Sequence, residues 1–263
     1  MKISCAARVD IGPLESNDDR VLVCNMIVDR TGFSAETELP AVAVVCDGCG
    51  GYDGGYVAAQ TVLEFISYEE PEALTDEIYL AQVLRNCQRV LEEKKTEMPH
   101  YSKMCTTIAG CVFSENKTVV FHAGDSRVYR FDRWGLARMT VDHSKVQAMI
   151  DSGEITAEEA AVHPERNVIS RGLGRACPPP DIYTSNVGIS SGEKYLFCSD
   201  GLWEAVKDSQ IEQVLGSNMT LQEMADFLVE KAIAQGADDN ISVCICCAQG
   251  SAEATAETDF VLD

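Results

Sequence analysis

The chain has 263 residues, 46% of them hydrophobic and 24% charged, and its 42 acidic side chains outnumber 21 basic ones to give a net charge of −21. Such a length can bury a sizeable core in one large domain or two small ones, and the composition excludes collagen, coiled coil and wholesale disorder. The acidity disfavours nucleic acid and anionic membrane surfaces as partners, but suits divalent cations wherever carboxylates converge.

The elements follow in chain order. The N-terminal MKISCAARVDIG carries too short and interrupted an apolar stretch for a secretory signal, and no apolar run of about 18 residues exists, so a transmembrane helix is excluded. Asn17-Asp18-Asp19 lead into an apolar run over 20–28, and a second run, 41–46, ends at Asp47-Gly48. Val57, Ala58, Thr61, Val62, Phe65 and Ile66 recur at helical spacing and predict a helix over 54–68; residues 75–97 form an amphipathic helix with an acidic entry and a basic exit. Strand-like runs at 105–113 and 118–123 flank Ser-Glu-Asn-Lys, a hairpin turn, and Gly124-Asp125 separates the second from a run at 127–131. Helical stretches at 143–151 and 156–161 precede a run at 194–199, which ends at Asp200-Gly201. Helices at 208–215 and 220–235 follow, the latter opened by a Thr220/Glu223 capping box, and Asp238-Asp239-Asn240 introduces a last strand over 241–247. Residues 249–263 hold four acids and no base and read as an acidic disordered tail on a single domain of residues 1–248.

Strands, two long helices, many strands, helices and a final strand do not alternate as a doubly wound sheet does; stacked antiparallel sheets with helices outside fit the order better. Most of the twelve cysteines sit inside apolar runs, among them Cys46, Cys198, Cys244, Cys246 and Cys247, which reads as reduced, buried thiols in a cytoplasmic protein. Cys46 and Cys49 form a CxxC with no matching second pair, so structural zinc is not expected.

Five acidic sites share one grammar: Asp18-Asp19, Asp47, Asp125, Asp200 and Asp239 each lie at the end of an apolar run or in the adjoining turn. A single Asp-Gly after a strand is an ordinary turn. Strand ends that project several carboxylates into one cleft make an all-oxygen site for a hard cation. Spacing alone does not say that these five converge.

AVAVVCDGCGGYDGG, HAGDSRVYRF, TVDHSKVQAMIDSGEITAEEAAVHPERNVISRGLG, YLFCSDGLWEAV and DDNISVCI occur in that order. Together they resemble the metal-dependent PP2C-type (PPM family) protein serine/threonine phosphatases over roughly residues 5–247, and the segment 140–174 is similar to bacterial members that carry an extra flap. The resemblance implies an α+β fold, an αββα sandwich of two antiparallel sheets flanked by helix pairs, with a small flap subdomain at about 144–170. It implies two or three Mn²⁺ or Mg²⁺ ions per chain. Asp47 matches the bridging ligand, Gly48 a carbonyl ligand, Asp200 and Asp239 ligands of the first metal, Asp18 the second-metal position and Asp125 a third-metal ligand. Asp19 matches an acid that orients water and, with Asp47, forms the catalytic pair. The implied reaction is hydrolysis of phosphoserine and phosphothreonine by a water shared between the metals, attacking phosphorus in line. The implied partners are phosphoproteins, targets of a Ser/Thr kinase, and the implied state is a monomer.

The chain departs from this pattern at two places. Leu14 or Glu15 stands where members carry a phosphate-gripping Arg; Arg8 and Arg20 are the nearest substitutes, with ordinary surface charge as the plainer reading. Position 49 is Cys where eukaryotic members tend to have His and bacterial ones Met; His122 and His143 are alternative acids, or simply hydrogen-bonded structural residues, and Arg127 and Arg171 read as ion-pair partners. The missing Arg keeps open a catalytically weak binding module, and the substrate class leaves open a phosphatase of small phosphorylated metabolites.

Overall fold

The computed structural model describes residues 1–30, 32–49 and 54–249. Two six-stranded sheets face each other. The first has the order β11 (Gly135–Arg138), β10 (Arg127–Asp132), β13 (Lys194–Cys198), β14 (Ile241–Ala248), β1 (Lys2–Asp10) and β4 (Phe33–Glu38). The second runs β12 (Asp181–Ser185), β9 (Thr118–Ala123), β8 (Ile108–Phe113), β5 (Ala41–Cys46), β2 (Arg20–Val23) and β3 (Met26–Val28). Every pairing is antiparallel. Helices α1 (Gly55–Ser67), α2 (Pro71–Leu74) and α3 (Glu77–Glu97) cover the second sheet; α6 (Asp200–Trp203), α7 (Asp208–Leu215) and α8 (Leu221–Ala234) cover the first. This is the expected αββα sandwich.

The layering explains why the strand sequences are continuous apolar runs rather than alternating ones. Antiparallel strands usually keep one wet face, but here both faces are covered. In β5, Val42, Val44 and Cys46 pack under α1 and α3, while Ala41, Ala43 and Val45 enter the core between the sheets. In β14, Ile241, Val243 and Ile245 meet α8, and Cys244, Cys246 and Ala248 face inward. The cysteines act as small hydrophobes, and all twelve are free thiols.

Several boundaries move. The run 20–28 is a hairpin, not one strand: Cys24 and Asn25 both take positive φ, 50° and 56°, and turn β2 into β3. Positive φ at both central residues is the geometry of a tight hairpin turn, and Cys is not a residue that signals it. The N-terminal stretch, interrupted by Ala and Arg, is a strand, β1, paired with β14 from Ile3↔Ala248 to Asp10↔Ile241. The edge strands β4, β11 and β12 are also added; β4 alternates half-buried and exposed residues along FSAETE. The helix over 75–97 starts at Glu77, where Asp76 accepts from the Tyr79 N–H at 2.9 Å. The Thr220/Glu223 capping box is present.

The excursion after β11 holds α4 (Lys145–Asp151) and α5 (Ala157–Ala160). Its base is closed by the Ser144↔Ile169 bridge and by Ser170 N–H donating to the His143 carbonyl at 2.7 Å. At the other end, Gln249 donates its N–H to the Lys2 carbonyl at 2.9 Å; the rest of the expected tail lies outside the described residues.

Candidate metal centre and active site

The acidic turns all leave the sheets at the same end. β5 delivers Asp47, and the two residues before β8 hold its backbone: Asp47 N–H donates to Thr107 Oγ1 (3.0 Å), and its carbonyl accepts from Thr107 N–H (2.8 Å) and the Thr106 hydroxyl (2.9 Å). The Thr107 hydroxyl pairs with that of Ser126 at 2.7 Å, next to Asp125. Gly124, just before, has φ +114° and lies so close to Thr107 that a Cβ there would be 2.6 Å from the threonine Cβ. Only glycine fits that turn. Asp200 opens α6 directly after β13. Asp47, Asp125 and Asp200 thereby place carboxylate oxygens within 4.8 Å of one another.

Asn240 ties the remaining acids to this group. Its side-chain oxygen accepts from Asp18 N–H at 2.9 Å, its amide donates to the Ile11 and Ser16 carbonyls at 2.9 Å each, and its own N–H donates to Asp239 Oδ1 at 2.7 Å. Asp19 is buried at 1% exposure, and its Oδ2 accepts from the Ser199 hydroxyl at 2.6 Å; Ser199 in turn accepts from Ser242 N–H at 2.9 Å. Gly48 and Gly55 touch backbone to backbone, and a Cβ on Gly55 would lie 2.3 Å from Asp18 Oδ2 and 2.6 Å from the Gly48 carbonyl oxygen. Asp18 and the Gly48 carbonyl thus share one small space at the start of α1.

The electrostatics are those of acids that cannot all ionise in isolation. Burial pushes Asp47 well above the usual carboxylate range, and Asp19, Asp200, Asp125 and Asp239 push it further. Asp200 is raised in the same way by burial and then by Asp125, Asp239 and Asp19. Asp125 is pushed up to about 7, mainly by burial with Asp142 adding. Asp19 also reaches about 7, burial outweighing the hydrogen bond from the Ser199 hydroxyl. Asp200 Oδ1 is buried with no hydrogen-bond partner among the described residues. Hard oxygen donors, mutual repulsion and an unsatisfied buried oxygen fit a divalent cation such as Mn²⁺ or Mg²⁺.

A second group, His122, His143 and Asp181, also gathers three ligand atoms within 4.8 Å. Its charges are already satisfied. Gly124 N–H donates to His143 Nδ1 at 3.3 Å, which places the proton on Nε2, and Nε2 faces Asp181 Oδ2 at 3.1 Å. Asp181 Oδ1 accepts from Arg171 at 2.9 Å, and His122 Nε2 faces the Val141 carbonyl at 2.8 Å. The two rings stack at 4.5 Å and 11°, so their lone pairs run in parallel planes and do not converge on one ion. His143 also donates its N–H to the Gly124 carbonyl at 2.9 Å and so grips the glycine beside Asp125 from both sides.

The cationic candidates are engaged elsewhere. Arg8 pairs with Asp10, Asp226 and Glu230 at 3.3–3.5 Å. Arg20 donates to the carbonyls of Asn17 (2.8 Å) and Asp19 (2.6 Å), bracing the acidic turn. Arg127 pairs with Asp142 at 2.6 Å and lies 3.5 Å over the Trp203 ring, whose N–H donates to the Asp125 carbonyl. Leu14 is exposed, and Glu15 beside it. Sequence reasoning passed over Thr106, Thr107, Ser199 and Gly55; a polar Thr-Thr inside an otherwise apolar strand run was the available signal for the first two.

A groove of roughly 700 Å³ lies between the excursion and the body, lined by Val146, Ile150, Arg166 and Trp203, with Gly201 and Asp238 bringing it up to the acidic turns. A larger groove, about 1330 Å³, lies around Trp134 and Gly192 and holds none of the clustered acids.

An αββα sandwich with an oxygen-only acidic cluster where its strands end is the arrangement that the resemblance to metal-dependent phosphatases implies. Comparison with known proteins narrows this. A model of the family described as Protein phosphatase 2C matches residues 26–238. The serine/threonine phosphatase stp of Listeria monocytogenes is 30% identical over 238 residues, covering 87% of this chain and 93% of that one. The serine/threonine protein phosphatase PstP of Mycobacterium tuberculosis is 31% identical over 242 residues, covering 91% of this chain and 44% of its own. The crystal structure of the M. tuberculosis PstP/Ppp phosphatase superposes with a TM-score of 0.82 at 29% identity over 95% of this chain and 100% of that one. A PstP catalytic domain solved in complex with 2 manganese ions gives a TM-score of 0.79 at 27% identity, over 95% of this chain and all of that one. The chain belongs to the protein phosphatase 2C family.

Proposed function

We propose that the acidic cleft hydrolyses phosphoserine and phosphothreonine in proteins with Mn²⁺ or Mg²⁺, two or three per chain. The observation that carries this reading is the meeting of Asp47, Asp125 and Asp200 oxygens within 4.8 Å in a buried, mutually repelling cluster. Asp47, Asp200 and Asp239 would hold one cation; Asp47, the Gly48 carbonyl and Asp18 a second; Asp125 a third. Bound there, such cations supply an activated water and offset the charge on the phosphoryl oxygens. The chain's own work is positional. Thr106 and Thr107 fix the Asp47 backbone, Asn240 fixes Asp18 against Asp239, and Ser199 holds the Asp19 carboxyl where it can accept a hydrogen bond from water.

The groove beside the excursion supports a polypeptide substrate over a small metabolite, because apolar Val146, Ile150 and Trp203 line it next to the cleft. The flap boundaries, 144–170, are our assignment, supported by the bridge that closes their base. A Ser/Thr kinase is the reaction class that must supply the substrate. One chain provides every proposed ligand, which supports a monomer. No described helix is long and apolar enough to cross a membrane, and twelve free thiols support the cytoplasm.

The test is phosphate release from a phosphothreonine peptide with Mn²⁺, with EDTA, and in Asp239→Asn. Turnover that needs Mn²⁺ and falls about 100-fold or more in the variant is expected. A folded, metal-binding protein without turnover would point to the binding-module reading.

A further inference from the structure

Cys49 and Cys105 have no part in the phosphatase chemistry, yet they stand directly opposite each other beside it. The short antiparallel pair β6 (Gly48–Cys49) and β7 (Cys105–Thr106) aligns Gly48 with Thr106 and Cys49 with Cys105. The Cys105 thiol donates to the Cys49 carbonyl at 3.0 Å. Cys49 is half-buried and Cys105 fully buried. Directly opposed residues in an antiparallel pair have Cα atoms about 4.5–5.5 Å apart. That range falls inside the roughly 4.4–6.8 Å that a disulfide requires.

We propose that Cys49 and Cys105 are a reversible redox-modification site, which a small peroxide closes into a cross-strand disulfide that disables the metal centre one residue away. The Cys49 sulfur, the more accessible one, attacks a peroxide oxygen. The O–O bond breaks, a sulfenic acid forms and one water leaves. The Cys105 sulfur then attacks the sulfenic sulfur, the S–O bond breaks, the S–S bond forms and a second water leaves. Two thiols are oxidised and one hydrogen peroxide is reduced to two waters.

The consequence for the centre follows from distances. Opposed Cβ atoms about 4.5–5.5 Å apart must close to about 3.8 Å in the disulfide. The closure draws β6 toward β7, and neither neighbour has slack. Gly48 is pressed backbone to backbone against Gly55, and Asp47 is held by Thr106 and Thr107. The closure therefore strains the backbone at Gly48, whose carbonyl shares its space with Asp18. A link made at this cost is also easily reduced, which makes it reversible. The inhibitory half of the proposal rests on the phosphatase reading above; the linkage itself does not.

The experiment treats the reduced, metal-free full chain with hydrogen peroxide, removes the oxidant, and splits the sample. One portion is digested without reductant and read by mass spectrometry. The other is assayed with Mn²⁺ on a phosphothreonine peptide, before and after dithiothreitol. A peptide linking Cys49 to Cys105, a loss of activity of about tenfold or more, and recovery with dithiothreitol are expected. Cys49→Ser, at a half-buried edge, is expected to form no link and to keep its activity through the treatment. A link found only elsewhere, such as Cys5 with Cys24, or sulfinic acid without a link, overturns the proposal. A linked protein with full activity, or Cys49→Ser losing activity equally, overturns the inhibitory half. If no sample turns over peptide at any stage, the functional reading fails, and the mass spectrum alone decides the linkage.

Discussion

The cleft around Asp47 and the cluster around His143 are both largely buried groups of titratable side chains with metal-ligand spacing, and they differ in how their charges close. In the first, Asp47 meets Asp19, Asp125, Asp200 and Asp239, all of one sign. In the second, Asp181 bonds to Arg171 at 2.9 Å and His143 at 3.1 Å, while the Val141 carbonyl and the Gly124 N–H engage the two imidazoles at 2.8 and 3.3 Å. Ligand spacing alone does not mark a site; an uncancelled charge does. The first cluster needs something added to it, whereas the second already holds the turn that carries Asp125.

The largest expected effect comes from removing one member of each. Asp47→Asn relieves repulsion, so the metal-free variant is expected to be more stable than metal-free wild type, by about 1 kcal/mol, or roughly 2–4 °C in Tm. Mn²⁺ is expected to raise the Tm of wild type and leave the variant nearly unmoved. Asp181→Asn is expected to behave oppositely, losing about 1 kcal/mol in either condition because its amide nitrogen cannot accept and so leaves either His143 or Arg171 without an acceptor. Calorimetry with EDTA and with Mn²⁺ reads all four; a metal-free Asp47→Asn protein less stable than wild type would erase the distinction.

A smaller effect separates the clusters by pH. Burial holds His143 below its ordinary 6.5, with the neighbouring His122 adding to the depression. A histidine depressed in the folded state contributes its full stability above 6.5 and loses it as pH falls, because the unfolded chain takes up the proton first. The stability difference between wild type and His143→Asn is therefore expected to narrow from pH 7 to pH 5. Denaturant melts across that range check it, and a constant difference would remove the titration from the account.

Smallest of all is Arg8→Ala. Its pairs with Asp226 and Glu230 lie on α8. A loss below about 1 kcal/mol with an unchanged KM is expected. A KM that rose tenfold would return Arg8 to the substrate side.

Much of the centre was legible because each acid borders an apolar run, and an apolar run buried on both faces is readable as a strand. Convergence was not legible, since Asn240 bonds to Asp18 across 222 residues and no local pattern encodes that. The hairpin at Cys24-Asn25 was hidden because its residues are not those that usually adopt positive φ. β1 was hidden because small Ala6 and Ala7, fully buried, look unremarkable in a sequence and fit only where two other strands crowd them. The engaged roles of Arg8 and His143 depend on partners far along the chain.

The knot made by Asn240 has a bearing on biosynthesis. The loop of residues 11–18 is made well before Asn240, yet it is clasped by that residue's side chain. β1 likewise waits for β14. A nascent chain still attached to the ribosome before residue 240 has emerged holds neither the Asp18–Asn240 clasp nor Asp239, and contacts this distant in sequence form late. Dephosphorylating capacity should therefore arrive all at once, after the final strand is in place, rather than growing with chain length.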